Sequence, residues 1–199
     1  EQFDYTIIGD GVMDSASAEL VGVHGKSIDG GDGDEVLVGN QQNNTLSGGA
    51  GDDALVGYAG DDQLEGGDGA DLLIGGQGND ILTGGDDSDM FAWLAGDEQG
   101  SSNDVITDFT LKADGDADVL NLSDLLQGEN EGNLESYLSF ETIDNGTSID
   151  TIVSIDIDGV DNGSTVHQTI TLLDVDFSGM SDSEILSQLL DDQQLNVDK

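Results

Sequence analysis

The sequence predicts an all-β chain built around a parallel solenoid of nine-residue units. Three observations predict it. From Gly30 to Ala92 the chain divides, without insertion, into seven units: GGDGDEVLV, GNQQNNTLS, GGAGDDALV, GYAGDDQLE, GGDGADLLI, GGQGNDILT and GGDDSDMFA. Each begins with glycine and carries one large apolar residue at its eighth position: Leu37, Leu46, Leu55, Leu64, Leu73, Leu82 and Phe91. The sixth position is acidic or its amide: Glu35, Asn44, Asp53, Asp62, Asp71, Asp80 and Asp89.

One large apolar residue in nine cannot form the stripe that a packed helix needs. It fits a turn of about six residues followed by a strand of about three, whose middle residue points inward while its neighbours point outward. Glycine at the first, second and fourth positions permits the positive φ angles of a tight turn. Two successive units then complete one coil, with a turn on each side and two thin sheets enclosing a ladder of leucines.

The flanks follow in order. Phe3–Ile8 alternates like a strand, and residues 21–29 read as a decayed preceding unit with Ile28 in the inward position. Residues 1–29 are therefore expected to form an N-terminal cap strand region over the first coil, because an open stack exposes strand edges and leucines. Residues 30–92 are the repeat block, and residues 93–199 form a C-terminal block. Trp93 and Leu94 are apolar where a new turn should begin. Residues 153–158 alternate strictly and predict a half-buried strand. With a turn at 159–164 and a second strand at 165–172 they make a hairpin. Ser181-Asp182-Ser183-Glu184 is a capping box ahead of Ile185, Leu186, Leu189 and Leu190, which predicts a short amphipathic helix. A last strand is expected over residues 195–197. The C-terminal block is thus a mainly β capping region with one short helix.

Charge narrows the partners. The chain has 44 acids against 3 bases, a net charge of −41. Nucleic acid and anionic membrane are excluded as partners, since both are held by Lys and Arg. So many carboxylates point instead to cations. No apolar run approaches the roughly 20 residues of a membrane span. No charged segment followed by an apolar one opens the chain, so no N-terminal secretory signal is expected, and a start at Glu1 reads as a piece of a longer protein. The absence of cysteine removes disulfides, thiolate chemistry and zinc–sulfur sites.

The repeat block alone carries 14 acids and no base. One buried leucine per nine ordered residues returns less free energy than the ordering costs. The block is therefore expected to be unfolded until a cation binds. Calcium takes about six to eight hard oxygens in flexible geometry, and carboxylates with glycine-turn carbonyls supply that set. Magnesium demands near-octahedral geometry and sheds water reluctantly. Transition metals favour imidazole or thiolate; His24 and His167 are far apart in sequence and read as surface residues.

The units starting at Gly48, Gly66 and Gly75 match G-G-x-G-x-D-x-U-x in full, where U is the large apolar residue. The departures are Glu35, the glycine-poor turn ending at Asn44, Tyr58 at a second position and Asp87 at a fourth. The block resembles the parallel β-roll, a right-handed β-solenoid, of RTX (repeats-in-toxin) proteins. That resemblance implies Ca²⁺ between turns two units apart on the same side of the roll. Its implied ligands are the second-position carbonyls of Gly31, Asn40, Gly49, Tyr58, Gly67, Gly76 and Gly85, with the fourth-position carbonyls of Gly33, Gln42, Gly51, Gly60, Gly69, Gly78 and Asp87. The first-position carbonyls of the following turns, Gly48, Gly57, Gly66, Gly75 and Gly84, join them, together with the sixth-position side chains. One ladder is Glu35–Asp53–Asp71–Asp89 and the other Asn44–Asp62–Asp80, which gives five interior gaps. Asp53/Asp71, Asp71/Asp89 and Asp62/Asp80 are the strongest. Glu35/Asp53 is weaker because glutamate is a methylene too long, and Asn44/Asp62 because one ligand is neutral.

Residues 103–109 (NDVITDF) and 117–126 (ADVLNLSDLL) resemble the segment that closes β-rolls in secreted RTX proteins. The resemblance implies that Asp97 and Asp104 complete the last calcium sites, adding one or two ions. The order of segments from Trp93 onward resembles the terminal domain of large bacterial adhesins exported by type I secretion, some of them ice-binding. It implies an uncleaved C-terminal signal, a transient type I ABC exporter partner, adhesin chain upstream, and an extracellular place at the bacterial cell surface. The expected function is a calcium-dependent folding and secretion module, monomeric and not an enzyme. H-E-x-x-H, G-x-S-x-G and a Cys/His pair do not occur, so any catalysis would lie upstream of a non-catalytic tail. The alternative is an adhesin module binding glycan or ice. The outward strand positions Val36, Val38, Gln63, Glu65 and Ile74 form no regular threonine array, which argues against ice. Asp156-x-Asp158-Gly-x-Asp161 is similar to a calcium loop but lacks the downstream bidentate glutamate.

Overall fold

The computed structural model describes residues 19–22, 27–98, 102–112, 116–126, 133–157 and 166–197. The strand expected at residues 3–8, His24, Asp158 and Asp161 lie outside them. The repeat block forms strands β2 (Ser27–Gly31), β3 (Glu35–Asn40), β4 (Thr45–Ala50), β5 (Ala54–Ala59), β6 (Gln63–Asp68), β7 (Leu72–Gln77), β8 (Ile81–Asp86) and β9 (Met90–Ala92), preceded by β1 (Glu19–Gly22). Alternate strands join opposite sheets. One sheet runs β1-β3-β5-β7-β9 and the other β8-β6-β4-β2, all parallel. The architecture is a parallel β-roll.

The strands are longer than the sequence suggests, six residues for most units, and only residues 51–53 separate β4 from β5. Stacking explains the difference. Every backbone group repeats at an 18-residue offset, so the glycine pairs stay in register, with Gly49 opposite Gly67 and Ala50 opposite Asp68. Turn amides find carbonyls one coil away in the same manner: Gly51 N–H donates to Asp68 O at 2.8 Å and Gly60 N–H to Gln77 O at 2.9 Å. Gly49 and Gly51 hold φ of 115° and 118°, a region that costs a side-chain-bearing residue energy. Tyr58 and Asp87 adopt positive φ too, at 81° and 76°, so the stack imposes its turn shape on the two departures from glycine.

The eighth-position residues are the core. Leu37, Leu46, Leu55, Leu64, Leu73, Leu82 and Phe91 are all buried to within 1% exposure. Ile28 stands opposite Leu46 and is buried with them.

Both sheets continue without a break past Ala92. Strand β10 (Ser102–Ile106) stacks on β8 and places Ile106 opposite Leu82. Strand β11 (Val119–Asn121) stacks on β9 and places Leu120 opposite Phe91. Strand β14 (Gln168–Leu172) pairs in parallel with β10, and β15 (Leu195–Asn196) with β11. The expected hairpin is present: β13 (Ile149–Ile155) runs antiparallel to β14, although it starts earlier than the alternating run suggests. A further strand, β12 (Leu138–Asp144), pairs antiparallel with β13 and ends that sheet. Its alternation of Leu138 and Phe140 with Ser139 and Glu141 breaks at Thr142 and the exposed Ile143, so periodicity does not single it out. Helix α1 (Asp182–Asp191) begins where the capping box predicts: Glu184 Oε2 accepts from Ser181 N–H at 2.8 Å, and Ile185, Leu186 and Leu189 are buried. Trp93, 2% exposed, and Phe109, whose ring centroid lies 6.2 Å from that of Phe91, close the end of the leucine ladder.

Candidate metal centres along the turns

Because each coil repeats the last, the sixth-position side chains of one side stand directly above one another. Each aspartate uses Oδ1 to accept the sixth-position amide of the preceding coil. On one side Glu35 N–H donates to Asp53, Asp53 N–H to Asp71 and Asp71 N–H to Asp89, at 2.7, 2.7 and 2.9 Å. On the other Asn44 N–H donates to Asp62 and Asp62 N–H to Asp80, at 2.6 and 2.8 Å. The two expected ladders are therefore physical ones. Glu35, Asn44, Asp53, Asp62, Asp71, Asp80 and Asp89 are all buried.

The ladders do not stop at the repeat block. Asp80 N–H donates to Asp104 Oδ1 at 2.9 Å, so Asp104 is the next rung of one. Asp89 N–H donates to Asp118 Oδ1 at 2.9 Å, so Asp118 is the next rung of the other. Asp118 is absent from the residues that the sequence singles out. Its signal is the spacing Asp-x-Leu in Asp118-Val119-Leu120, the sixth-to-eighth offset of a repeat, and Asp104-Val105-Ile106 has it too. Asp97 stands outside both ladders. Its Oδ2 accepts from Leu94 N–H at 2.7 Å, in a loop tied to the roll by Gln77 Nε2–H donating to Gly96 O at 3.0 Å.

A second, outer ladder runs the other way through the fifth positions. Asp52 N–H donates to Asp34 Oδ1 and Ala70 N–H to Asp52 Oδ1 on one side. On the other, Asp61 N–H donates to Asn43, Asn79 N–H to Asp61 and Asn103 N–H to Asn79. These bonds are longer, 2.9–3.2 Å, and more exposed than the inner ones.

The second oxygens of the inner ladder test whether the turns suit a cation. Oδ2 of Asp53, Asp62, Asp71, Asp80 and Asp89 is buried and accepts no hydrogen bond from the protein. A buried carboxylate oxygen without a donor is costly unless a cation meets it. A Cβ on Gly48, Gly57 or Gly66 would collide both with that oxygen of its own turn and with the carbonyl of Gly66, Gly75 or Gly84 one coil on. Hard oxygens from a side chain and from the next coil's backbone thus converge beside a first-position glycine, a donor set that suits calcium. Among the described residues no three acidic, histidine or cysteine side chains gather into a cluster; backbone carbonyls must make up the rest of any coordination shell.

The ends of the ladders are different. Asp104 Oδ2 accepts from the Trp93 indole Nε1–H and from Gln168 Nε2–H, both at 2.7 Å. Ser102 Oγ–H in turn donates to Gln168 Oε1. Asp118 Oδ2 accepts from Thr110 N–H at 2.7 Å. Protein donors replace the missing next coil. His167 lies apart from these ladders, with Nδ1 3.3 Å from Asp156 Oδ1.

Burial is the leading cause that lifts the inner carboxylates above their ordinary range, and neighbouring acids add to it while the bond from the preceding coil opposes it. Asp53, Asp62, Asp104 and Asp118 rise to about 6, Asp71 and Asp80 to about 7, and Asp89 to about 8. A raised carboxylate pKa means that the folded chain binds more protons than the unfolded one between about pH 4 and 8, so stability without metal falls as pH rises through that window. In calcium-free buffer, acidification from pH 8 to 5 should therefore increase the β signal in far-UV circular dichroism. With calcium present the same protons compete for the ligands, and the calcium midpoint should move up as pH falls. A calcium-free β signal that declines on acidification contradicts this account.

The family comparison agrees with the geometry. The family model for the RTX calcium-binding nonapeptide repeat (4 copies) matches residues 29–64 and 56–91. A search of curated proteins returns no match. Among solved structures, the chain is similar to the AlgE6R3 subunit of the Azotobacter vinelandii mannuronan C5-epimerase, with 21% identity, coverage of 92% of this chain and 85% of that one, and a TM-score of 0.35. It is similar also to the AlgE6R2 subunit of the same enzyme, with 27% identity, coverage of 85% and 91%, and a TM-score of 0.37. The nine-residue register, the stacked aspartate ladders and the family match over residues 29–91 together identify the repeat block of this chain as an RTX calcium-binding β-roll.

Proposed function

We propose that the chain is a calcium-dependent folding and type I secretion module of a large bacterial adhesin, unfolded where calcium is scarce and folded on the cell's outside. In this reading residues 1–29 cap the first coil, residues 30–92 bind the ions, and residues 93–199 cap the last coil and carry the export signal. The observation that carries it is the column of buried Oδ2 atoms on Asp53, Asp62, Asp71, Asp80 and Asp89, which no protein donor meets. Ions that bind only the folded chain shift its folding equilibrium by mass action. Extracellular modules bind calcium at about 10⁻⁴–10⁻³ M, so the fold is set to respond to the difference between the two sides of the envelope. No reaction is assigned to the module. No helix among the described residues is long and apolar enough to cross a membrane.

Calorimetry with calcium tests the reading. The five interior gaps, with Asp80/Asp104 and Asp89/Asp118 at the ends, lead to an expected count of about five to seven bound ions. Magnesium at the same concentration should neither saturate these sites nor fold the chain. Export of a passenger fused upstream should require residues 93–199; secretion that survives their removal ends the export half of the proposal.

Substitutions separate strong rungs from weak ones. Asp71 faces two gaps, toward Asp53 and toward Asp89, while Asn44 faces one that already has a neutral ligand. Asp71→Ala is expected to raise the calcium midpoint of folding on the order of tenfold, because it removes charge from two sites. Asn44→Ala should raise it far less. Equal midpoints would show that ions are not shared between turns two units apart.

A further inference from the structure

We propose that the gap between Asp89 and Asp118, at the C-terminal end of one ladder, is the strongest divalent-cation site of the molecule and fills first, because Asp108 brings a third negative charge to it. The proposal rests on the calcium reading above but concerns residues beyond the matched repeats.

Three placements carry it. Asp89 is 2% exposed, and its Oδ2 is one of the buried oxygens with no protein donor. A Cβ on Gly84 would collide with that oxygen, so Gly84 marks the space it faces. Asp118 Oδ1 closes the far side of the gap by accepting from Asp89 N–H. Asp108 is held against the same glycine: Gly84 N–H donates to its Oδ1 at 3.0 Å and Gly85 N–H to its Oδ2 at 2.9 Å.

The register shows why Asp108 is there. Val105 and Ile106 stand opposite Ile81 and Leu82, so Asp108, two residues on, follows the strand to the level of Gly84. In the interior coils that level holds a glycine. Its carbonyl is the next-coil atom nearest the space beside Gly48, Gly57 and Gly66. At the end of the roll, a residue carrying a full charge stands in for it. The three carboxylates do not meet at one point. Asp108 keeps its two amide bonds and adds its charge from the rim, Asp89 Oδ2 faces the space, and Asp118, whose oxygens accept from Asp89 N–H and Thr110 N–H, adds its charge from the far side. The other ladder ends with a further acid too, Asp97, but it bears on Asp104 and not on Asp80, whereas Asp108 bears on both Asp89 and Asp118. There Asp104 is met by the neutral donors of Trp93 and Gln168, and Ile170 stands opposite it in β14. Cation affinity of oxygen sites rises with the number of charged groups, and the attraction scales with the charge of the ion.

The test is Asp108→Asn, which keeps an acceptor for Gly84 N–H and removes the charge. Calorimetric titrations with calcium and with terbium compare it with the unsubstituted chain. The tightest site should weaken on the order of tenfold for calcium and by more for trivalent terbium. The remaining sites should keep their constants. An unchanged tightest constant, or equal shifts for the two ions, overturns the proposal, since a purely structural Asp108 would not distinguish ion charge. If the variant fails to fold, amide resonances of the unsubstituted chain decide. Those of Gly84, Asp89 and Asp118 should reach their folded positions at lower calcium than those of Gly48 and Asp53, and simultaneous or reversed movement overturns the proposal. A chain that binds no calcium at all removes instead the calcium reading on which the proposal stands.

Discussion

In EDTA at low ionic strength the chain is expected to be largely disordered, and in millimolar calcium β-rich. The magnitudes leave little room for another outcome. An ionised carboxylate buried without a partner costs on the order of several kcal/mol. Asp53, Asp62, Asp71, Asp80 and Asp89 each present such an oxygen. Their sum exceeds the roughly 5–15 kcal/mol by which a whole domain is normally stable, and the net charge of −41 adds repulsion on top. The chain can escape by protonating those groups, by binding cations or by unfolding; at neutral pH protonation relieves Asp71, Asp80 and Asp89 only in part and at a cost, and without calcium unfolding is the expected outcome. Small-angle scattering should give a radius of gyration near 48 Å in EDTA, about the value of an unfolded chain of this length, and well under half of it in calcium. A β-rich spectrum in EDTA at low salt would sink the idea.

A chain ending at Ala92 should stay largely disordered even in millimolar calcium. Removing residues 93–199 exposes Leu82 and Phe91, which Ile106 and Leu120 cover, and takes away Trp93, which is buried beside them. It also leaves the amides of Asp80 and Asp89 without the carboxylates of Asp104 and Asp118. Each lost acceptor costs about 1–3 kcal/mol, and uncovering the aromatic and aliphatic core costs more. A repeat stack needs a terminal element that closes its core. Restoring residues 93–199 within the same chain should restore folding. If the shortened chain folded with an unchanged calcium midpoint, the capping role of residues 93–199 would have to be withdrawn and only export would remain for them.

The roll was legible because its physics repeats. Leu37 to Phe91 recur at one spacing, and so do Glu35 to Asp89, so register, core and ladders all follow from a single period. Asp118 escaped because the period breaks. It lies 29 residues beyond Asp89 rather than 18, after an excursion through β10, and only its Asp-x-Leu offset betrays it. The outer ladder escaped because Asn and Asp at fifth positions look like ordinary solvated turn residues until a second coil is stacked on them. β12 escaped for another reason: Thr142 holds an inward position where an apolar residue is expected and Ile143 is exposed, so the pattern of this sheet-edge strand breaks after Glu141. The capping box at Ser181 was legible because it is local, whereas the Trp93–Asp104–Gln168 contact joins residues up to 75 positions apart in ways that no spacing rule encodes.

The inner rungs give the roll an arrow. Every buried amide on the ladder is received by the coil that comes later in sequence, Asp53 by Asp71 and Asp71 by Asp89, through Asp118 at the end. The reverse bonds of the outer ladder are longer and nearer water, so they weigh less. Loss of one inner carboxylate therefore takes a buried acceptor from the coil upstream of it and none from the coil downstream, while the backbone bonds of the sheets, which run both ways, still join the coils. Synthesis runs against this arrow. A ribosome delivers each coil before the carboxylate that receives its sixth-position amide exists, so the inner rungs of a nascent roll wait for the coil that follows. A chain that emerges from a pore with its carboxyl end leading meets the opposite order, because the receiving coil is already in place when the next arrives. The hydrogen-bond polarity of the inner turns thus gives the roll a direction of growth, easiest from the carboxyl-terminal coil toward the amino-terminal one.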